Sequence, residues 1–148
     1  MIPKLHLKEI ALKKLDASKL LCESAKYDAS LYLIGYSIEL ALKYKICKIF
    51  QFEEGFPETK NEFEMYISVS DSTLGKEIVN IKEIRNHNLQ KLLFYSGQDY
   101  IVKLELLEEW TNISYWSPEL RYKLNLGDKE FNETIIISVE KILNLIFK

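Results

Sequence analysis

Hydrophobic positions along this chain recur mostly at three- and four-residue intervals, the period of a helix rather than a strand. Leu5, Leu12, Leu15, Ala17, Leu20 and Leu21 repeat between lysines and predict a first helix from Leu5 to Ser24. A short break, ESAKYD, leads into YDASLYLIGYSIELALKYKICKIF, a long apolar stretch from Tyr27 to Phe50. Asp28 is placed to cap it. So short a link between two long helices predicts an antiparallel pair. FEEGFPETKNEFE then carries five glutamates, Gly55 and Pro57, and reads as an exposed acidic connection with a helical turn after Pro57. STLGKEIVNIKEI predicts another helix, capped by Asp71 or Ser72, with Leu74, Ile78, Ile81 and Ile84 inward. RNHN interrupts it, and LQKLLFYSG resumes as a short helix that Gly97 stops. DYIVKLELLEEW is helical by period, and SPEL opens a helix with Ser117 at the N-cap and Pro118 in the first turn. GDKEFNETIIISVEKILNLIF is the last helix, capped by Asp128, with Phe131, Ile135, Val139, Ile142 and Ile146 on one face. The expected fold is all-α: one antiparallel helical bundle over residues 1–148, with a short extra helix and an acidic connecting loop.

The second helix poses a question of its own. At 100° per residue, Glu39 and Lys43 share a stripe with Tyr32, Gly35, Tyr36, Leu42 and Ile46. Ser37, Ala41, Lys45 and Lys48 cluster on the opposite stripe. An ion pair turned toward a packing surface costs desolvation and calls for a reason. An acid four residues before a lysine is equally the favoured arrangement on an exposed helix face. The pattern alone leaves both arrangements open.

Composition narrows the function classes. The chain has 148 residues, 47% hydrophobic and 28% charged, with a formal charge of −2. That length suits one domain burying about 70% of its unfolded surface. There is no global basic field, so any polyanion site must be local. Cys22 and Cys47 lie in apolar stretches without histidines at metal-ligand spacing, as expected of small buried hydrophobes in a reducing compartment. The start MIPKLHLKEIALKKLD is too charged for a signal peptide, and no apolar run reaches membrane-spanning length. The expected location is the cytoplasm. Only two arginines, Arg85 and Arg121, stand among 18 lysines. They draw attention because only arginine offers a planar fork of donors.

Metal catalysis is not expected: His6 and His87 are far apart, and no His-x-x-His or Glu-x-x-His pair occurs. No glycine-rich phosphate loop is present, and no cofactor is expected. The polar residues of interest fall in three places: Glu39 with Lys43, EIRNHNLQKLL from Glu83 to Leu93, and WSPELRY from Trp116 to Tyr122. Taken singly, each has a structural explanation. A helix pair, a residue beside a helix cap, and an arginine stem covering the bundle would account for them.

Taken together, YDASLYLIGYSIELALK, HNLQKLL and WSPELRY resemble the HEPN family (higher eukaryotes and prokaryotes nucleotide-binding domain). The resemblance runs from about Ala17 through the last helix. It implies an antiparallel helical bundle, often paired as a symmetric homodimer. Many members are metal-independent endoribonucleases of toxin–antitoxin and phage-defence systems, and others are non-catalytic partners of nucleotidyltransferases. By that resemblance His87 is the candidate catalytic histidine, with Lys82 and Arg85 as candidate cations, and Glu39, Lys43, Arg121 and Tyr122 as candidate ligand-binding side chains for RNA or a nucleotide. Catalytic members carry an arginine, then four to six intervening residues, then the histidine. Here Lys82 and Arg85 stand five and two residues before it. On a continuous helix Arg85 and His87 would point to nearly opposite sides. If Glu39 and Lys43 face His87 and Arg121, the inward face of the second helix is the floor of a polar pocket. Binding with cleavage and a non-catalytic interaction module therefore both stand as expectations.

Overall fold

A computed structural model describes residues 1–69 and 80–148, with only the backbone of Val69. Its α-helices run α1 Lys4–Glu23, α2 Tyr27–Ile49, α3 Lys60–Val69, α4 Leu89–Tyr95, α5 Asp99–Glu105, α6 Leu107–Ile113 and α7 Lys129–Ile146. Two 3-10 turns, Ile81–Glu83 and Pro118–Tyr122, precede α4 and α7. No strand longer than a single bridge, Ile2 to Phe56, occurs among the described residues. The all-α expectation holds.

Helix α2 is the hub. It packs along α1 and α7, and it also meets α4 and the Pro118–Tyr122 turn. With neighbours on so many sides, its middle is buried almost all round. Ser37 and Ala41, on the stripe opposite Glu39 and Lys43, are fully buried, and the Ser37 hydroxyl donates to the Ala11 carbonyl on α1 at 2.7 Å. Only Lys45 and Lys48 of that stripe reach solvent. The inward face of α1 is likewise not the expected leucine stripe. Leu7, Ala11, Leu15, Ser18 and Cys22 are buried, whereas Leu5, Leu12 and Leu20 are exposed. Small residues at the contact let the two long helices approach closely.

Several caps differ from expectation. Asp28 makes no cap for α2; its carboxylate accepts from the backbone N–H of Asn125 and Leu126, both at 2.9 Å, and so pins the segment before α7. The acidic connection is more ordered than a bare turn. Thr59 and Glu62 form a capping box at the start of α3, with Glu62 N–H donating to Thr59 Oγ1 and Thr59 N–H to Glu62 Oε2. The Met1 ammonium bridges Glu58 and Glu62 at 3.0 and 2.9 Å. Asp128 caps α7 as expected, accepting from Phe131 N–H at 2.9 Å. Of the expected α7 face, Phe131 is the exposed member. DYIVKLELLEEW is not one helix but two, α5 and α6, broken where Leu106 leaves helical geometry at φ −134° and ψ 41°.

The helix expected over STLGKEIVNIKEI lies mainly outside the described residues, including its proposed caps Asp71 and Ser72. Its described end is not continuous helix: Asn80 is extended, and its side chain accepts from Lys82 N–H to start the 3-10 turn. Ile81 and Ile84 are buried as expected.

Candidate functional site

Three asparagines shape the loop that carries His87. Asn80 opens the 3-10 turn. Asn86 donates its amide to the carbonyls of Lys82 and Glu83 and accepts from Asn88 N–H at 2.8 Å. Asn88 caps α4 by accepting from Lys91 N–H at 3.0 Å. Asparagine side chains that bond nearby backbone compete with helix formation. RNHN therefore turns rather than continuing a helix, and the helical-face objection to Arg85 has no helix to rest on. The loop does not rescue Arg85, however. Lys82 and Arg85 line a pocket with Lys60, Phe63 and Glu64, while His87 lines a different one with Trp116 and Ser117.

The turn delivers His87 to α2. Glu39 is 3% exposed and Lys43 8%, so the inward-facing alternative is the one realised. Glu39 Oε1 accepts from Lys43 Nζ at 2.7 Å, and Oε2 lies 2.8 Å from His87 Nδ1. A carboxylate only accepts, so Nδ1 carries the proton in this pair and Nε2 is left for other work. The His87 side chain is 56% exposed. A buried carboxylate thus holds an imidazole at the surface. Lys43 is steadied from its other side, its ammonium 5.2 Å from the centre of the Phe56 ring.

Aromatic rings wall this pair. Tyr36 stands edge-on to His87 at 6.1 Å, to Trp116 at 4.9 Å and to Tyr32 at 5.4 Å. The Trp116 indole N–H donates to the Tyr32 carbonyl at 3.0 Å, which fastens WSPELRY to α2. Gly35 makes this docking possible, because a Cβ there would fall inside the Trp116 ring. A mid-helix glycine costs about 1 kcal/mol relative to alanine. That cost was the signal in the sequence for a close approach, and the aromatic wall was the part of the site that helical spacing alone did not assign.

Ser117 is extended at the N-cap position without a side-chain cap bond, and Pro118 opens the 3-10 turn that holds Arg121. The Arg121 guanidinium sits 4.7 Å from the Tyr122 ring centre. Hydrogen bonding to the Tyr122 and Tyr32 hydroxyls raises its pKa. The Tyr32 and Tyr36 hydroxyls are 3.2 Å apart. Burial, then the bond to Tyr32, pushes Tyr36 up to about 12. The bond to Tyr36 and the nearby Arg121 charge lower Tyr32. Either hydroxyl can donate to the other.

The structure gathers Glu39, Lys43 and His87 directly, and reaches Arg121 and Tyr122 through Tyr36 and Tyr32. Glu39 orients His87 and Lys43 rather than Arg121. Among the described residues no cluster of histidine, cysteine or carboxylate groups is arranged to hold a metal ion. Cys22 and Cys47 are both buried thiols, and burial pushes Cys47 up to about 12.

Among the described residues no helix is long and apolar enough to cross a membrane. No curated protein and no solved structure matches the chain. The family model of the HEPN domain matches residues 5–148, essentially the whole chain, which therefore belongs to the HEPN domain family.

Proposed function

We propose that this HEPN protein binds RNA or a nucleotide at the Glu39–His87 cluster and cleaves RNA without a metal, in the cytoplasm, within a toxin–antitoxin or phage-defence setting. One observation carries the proposal: a buried carboxylate fixes Nδ1 of a half-exposed histidine and leaves Nε2 to a substrate. Family membership supports a nucleotide- or RNA-related role.

The reaction needs no activated water, because the nucleophile belongs to the substrate. The 2′-hydroxyl attacks the adjacent phosphorus, the O2′–P bond forms, and the P–O5′ bond breaks. His87 Nε2 takes the 2′ proton while solvent water protonates the leaving 5′ oxygen, or in its protonated form delivers a proton to that oxygen while water takes the 2′ proton. Arg121 supplies positive charge for the extra negative charge on the phosphoryl oxygens. The products are a 2′,3′-cyclic phosphate and a 5′-hydroxyl.

Purified protein in excess chelator should cut RNA to products ending in 2′,3′-cyclic phosphate. His87→Ala should lose at least ~100-fold, the scale of a general acid or base, with the melting temperature nearly unchanged. Glu39→Gln gives a sharper test. Lys43 only donates, so the new amide must turn its oxygen to Lys43 and its NH2 to His87 Nδ1. The imidazole must then carry its proton on Nε2, which removes the base. Cleavage abolished by chelator, or indifferent to both substitutions, refutes the proposal.

A second reading, a non-catalytic helical module that partners a nucleotidyltransferase, is favoured by one observation. Lys82 and Arg85 line a pocket apart from His87, so the family's catalytic pairing has no counterpart there. Stable co-purification with a nucleotidyltransferase encoded alongside, without cleavage by the wild type, would establish it. In both readings we propose that the chain pairs as a twofold homodimer.

A further inference from the structure

Cleavage moves two protons, one off the 2′ oxygen and one onto the 5′ oxygen, and His87 accounts for only one of them. With Nδ1 donating to Glu39, the neutral imidazole presents a bare Nε2, the form of a base. Attacking and leaving oxygens lie roughly in line through phosphorus. An acid for the leaving oxygen therefore stands across the phosphate from His87.

Helix α2 carries a group there. Tyr32 lies seven residues before Glu39, about 10 Å along the helix axis, with Tyr36 between them. Glu39 holds His87, so the imidazole and the Tyr32 ring flank Tyr36, their centres 6.1 and 5.4 Å from its own. Tyr32 is half-buried, and two cations attend its hydroxyl. The Arg121 guanidinium donates to it, and the charge of Lys14 on α1 acts on it from farther off. Among the described residues neither cation forms an ion pair with a carboxylate, which leaves both charges to a phosphodiester. The Tyr32 and Tyr36 hydroxyls are 3.2 Å apart. When Tyr36 donates, the Tyr32 oxygen accepts from Tyr36 and from Arg121, and its own proton is free for substrate. Two donors on one phenol oxygen favour the phenolate. The Tyr36 bond is the largest cause of the lowered Tyr32 pKa, whereas burial first pushes Tyr36 up to about 12. Tyr32 is the stronger acid of the pair.

We propose that Tyr32 is the general acid of this reaction, its hydroxyl giving a proton to the 5′ oxygen in place of solvent water as the P–O5′ bond breaks. His87 Nε2 takes the 2′ proton in the same passage. The imidazolium then releases a proton to water and the Tyr32 phenolate regains one, which restores the starting state. The inference rests on the ribonuclease proposal and names the second proton-transfer group of the same site.

Two RNA substrates test it in excess chelator, identical except that the bridging 5′ atom at one scissile bond is oxygen or sulfur. A thiolate leaves without a proton, because a thiol has a pKa of about 8.5. Tyr32→Phe should lose at least ~100-fold on the oxygen substrate and less than about tenfold on the sulfur one. The near-normal sulfur rate also shows that the variant is folded. His87→Ala should lose on both, since sulfur does not relieve the need for a base. Equal losses of Tyr32→Phe on the two substrates, or no loss on the oxygen one, overturn the assignment while cleavage stands. A His87→Ala defect that sulfur relieves makes the imidazole the acid and overturns it as well. No cleavage of the oxygen substrate by the wild type removes the ribonuclease proposal itself, and the general acid with it.

Discussion

Removing either member of the Glu39–Lys43 pair should destabilise the protein far more than a surface ion pair would. Both side chains are nearly inaccessible, 3% and 8% exposed as residues, and their charged atoms are 2.7 Å apart. Stripping one partner from such a pair leaves a buried charge without compensation, at ~3–5 kcal/mol. A solvated i, i+4 pair would lose only ~0.3–0.5 kcal/mol. The two singles should not be equal. After Lys43→Ala, Glu39 keeps His87 Nδ1 at 2.8 Å. After Glu39→Ala, Lys43 keeps only the Phe56 ring, worth about 0.5–2 kcal/mol, and His87 loses its anchor. Glu39→Ala is therefore expected to be the worse. With a urea m-value of ~1–3 kcal/mol/M, the midpoint should fall by at least about 1 M. The double variant Glu39→Leu with Lys43→Met replaces both charges by apolar groups of similar volume. It should recover most of the loss. Two singles each costing under ~0.5 kcal/mol, or a double as costly as the singles summed, would refute the burial argument.

Gly35→Ala should lose ~1–3 kcal/mol despite its better helix propensity, because the new methyl displaces Trp116; near-UV circular dichroism should show the aromatic cluster disturbed, and an unchanged spectrum and stability would refute the close approach. The proposed homodimer should bury on the order of 1,600 Å² or more and give twice the monomer mass by light scattering at micromolar concentration; a monomer there would remove it.

Legibility varied along the chain for identifiable reasons. The stripe that Glu39 and Lys43 share with Tyr32, Gly35, Tyr36, Leu42 and Ile46 raised the inward turn as one of two arrangements, and the favoured acid-first spacing on an exposed face kept the other open. The opposite stripe could not decide the matter, because a helix with neighbours on several sides has no wide water face, and Ser37 and Ala41 are what a close helix contact selects. A bias toward size affected α1, where counting large residues chose Leu5, Leu12 and Leu20 over the smaller Ala11, Ser18 and Cys22 that face α2. None of the large apolar side chains of α2 is among the exposed ones, which lie instead on the other helices and between α6 and α7. Around His87, the three asparagines were visible, but their joint effect depends on which backbone groups each one reaches. Asp28 shows the limit plainly. A residue at a helix start can spend its carboxylate on a segment 97 residues away, and no local pattern encodes that choice.

The identity of the cation opposite His87 follows from how the site is divided. Lys82 occupies the position where an arginine would complete the catalytic spacing, so restoring arginine there is the obvious repair. The structure argues that it fails. Lys82 is exposed on the 3-10 turn and lines the pocket beside α3, whereas the imidazole lines the cleft beside Trp116. Arg121 instead reaches the His87 side through Tyr32, whose hydroxyl meets that of Tyr36, which stands edge-on to the imidazole. A phosphate between His87 and Arg121 would meet a planar fork that lysine does not reproduce. Arg121→Lys should therefore lower chelator-resistant cleavage at least ~10-fold, a conservative share of the ~100-fold or more seen when one charge-stabilising donor is removed. Lys82→Arg should leave it within about twofold. Initial rates on one RNA, measured at fixed ionic strength, separate the two. A gain from Lys82→Arg with no loss from Arg121→Lys would move the phosphate to the other pocket and leave Glu39, Lys43 and His87 as a structural tie between α2 and the turn before α4.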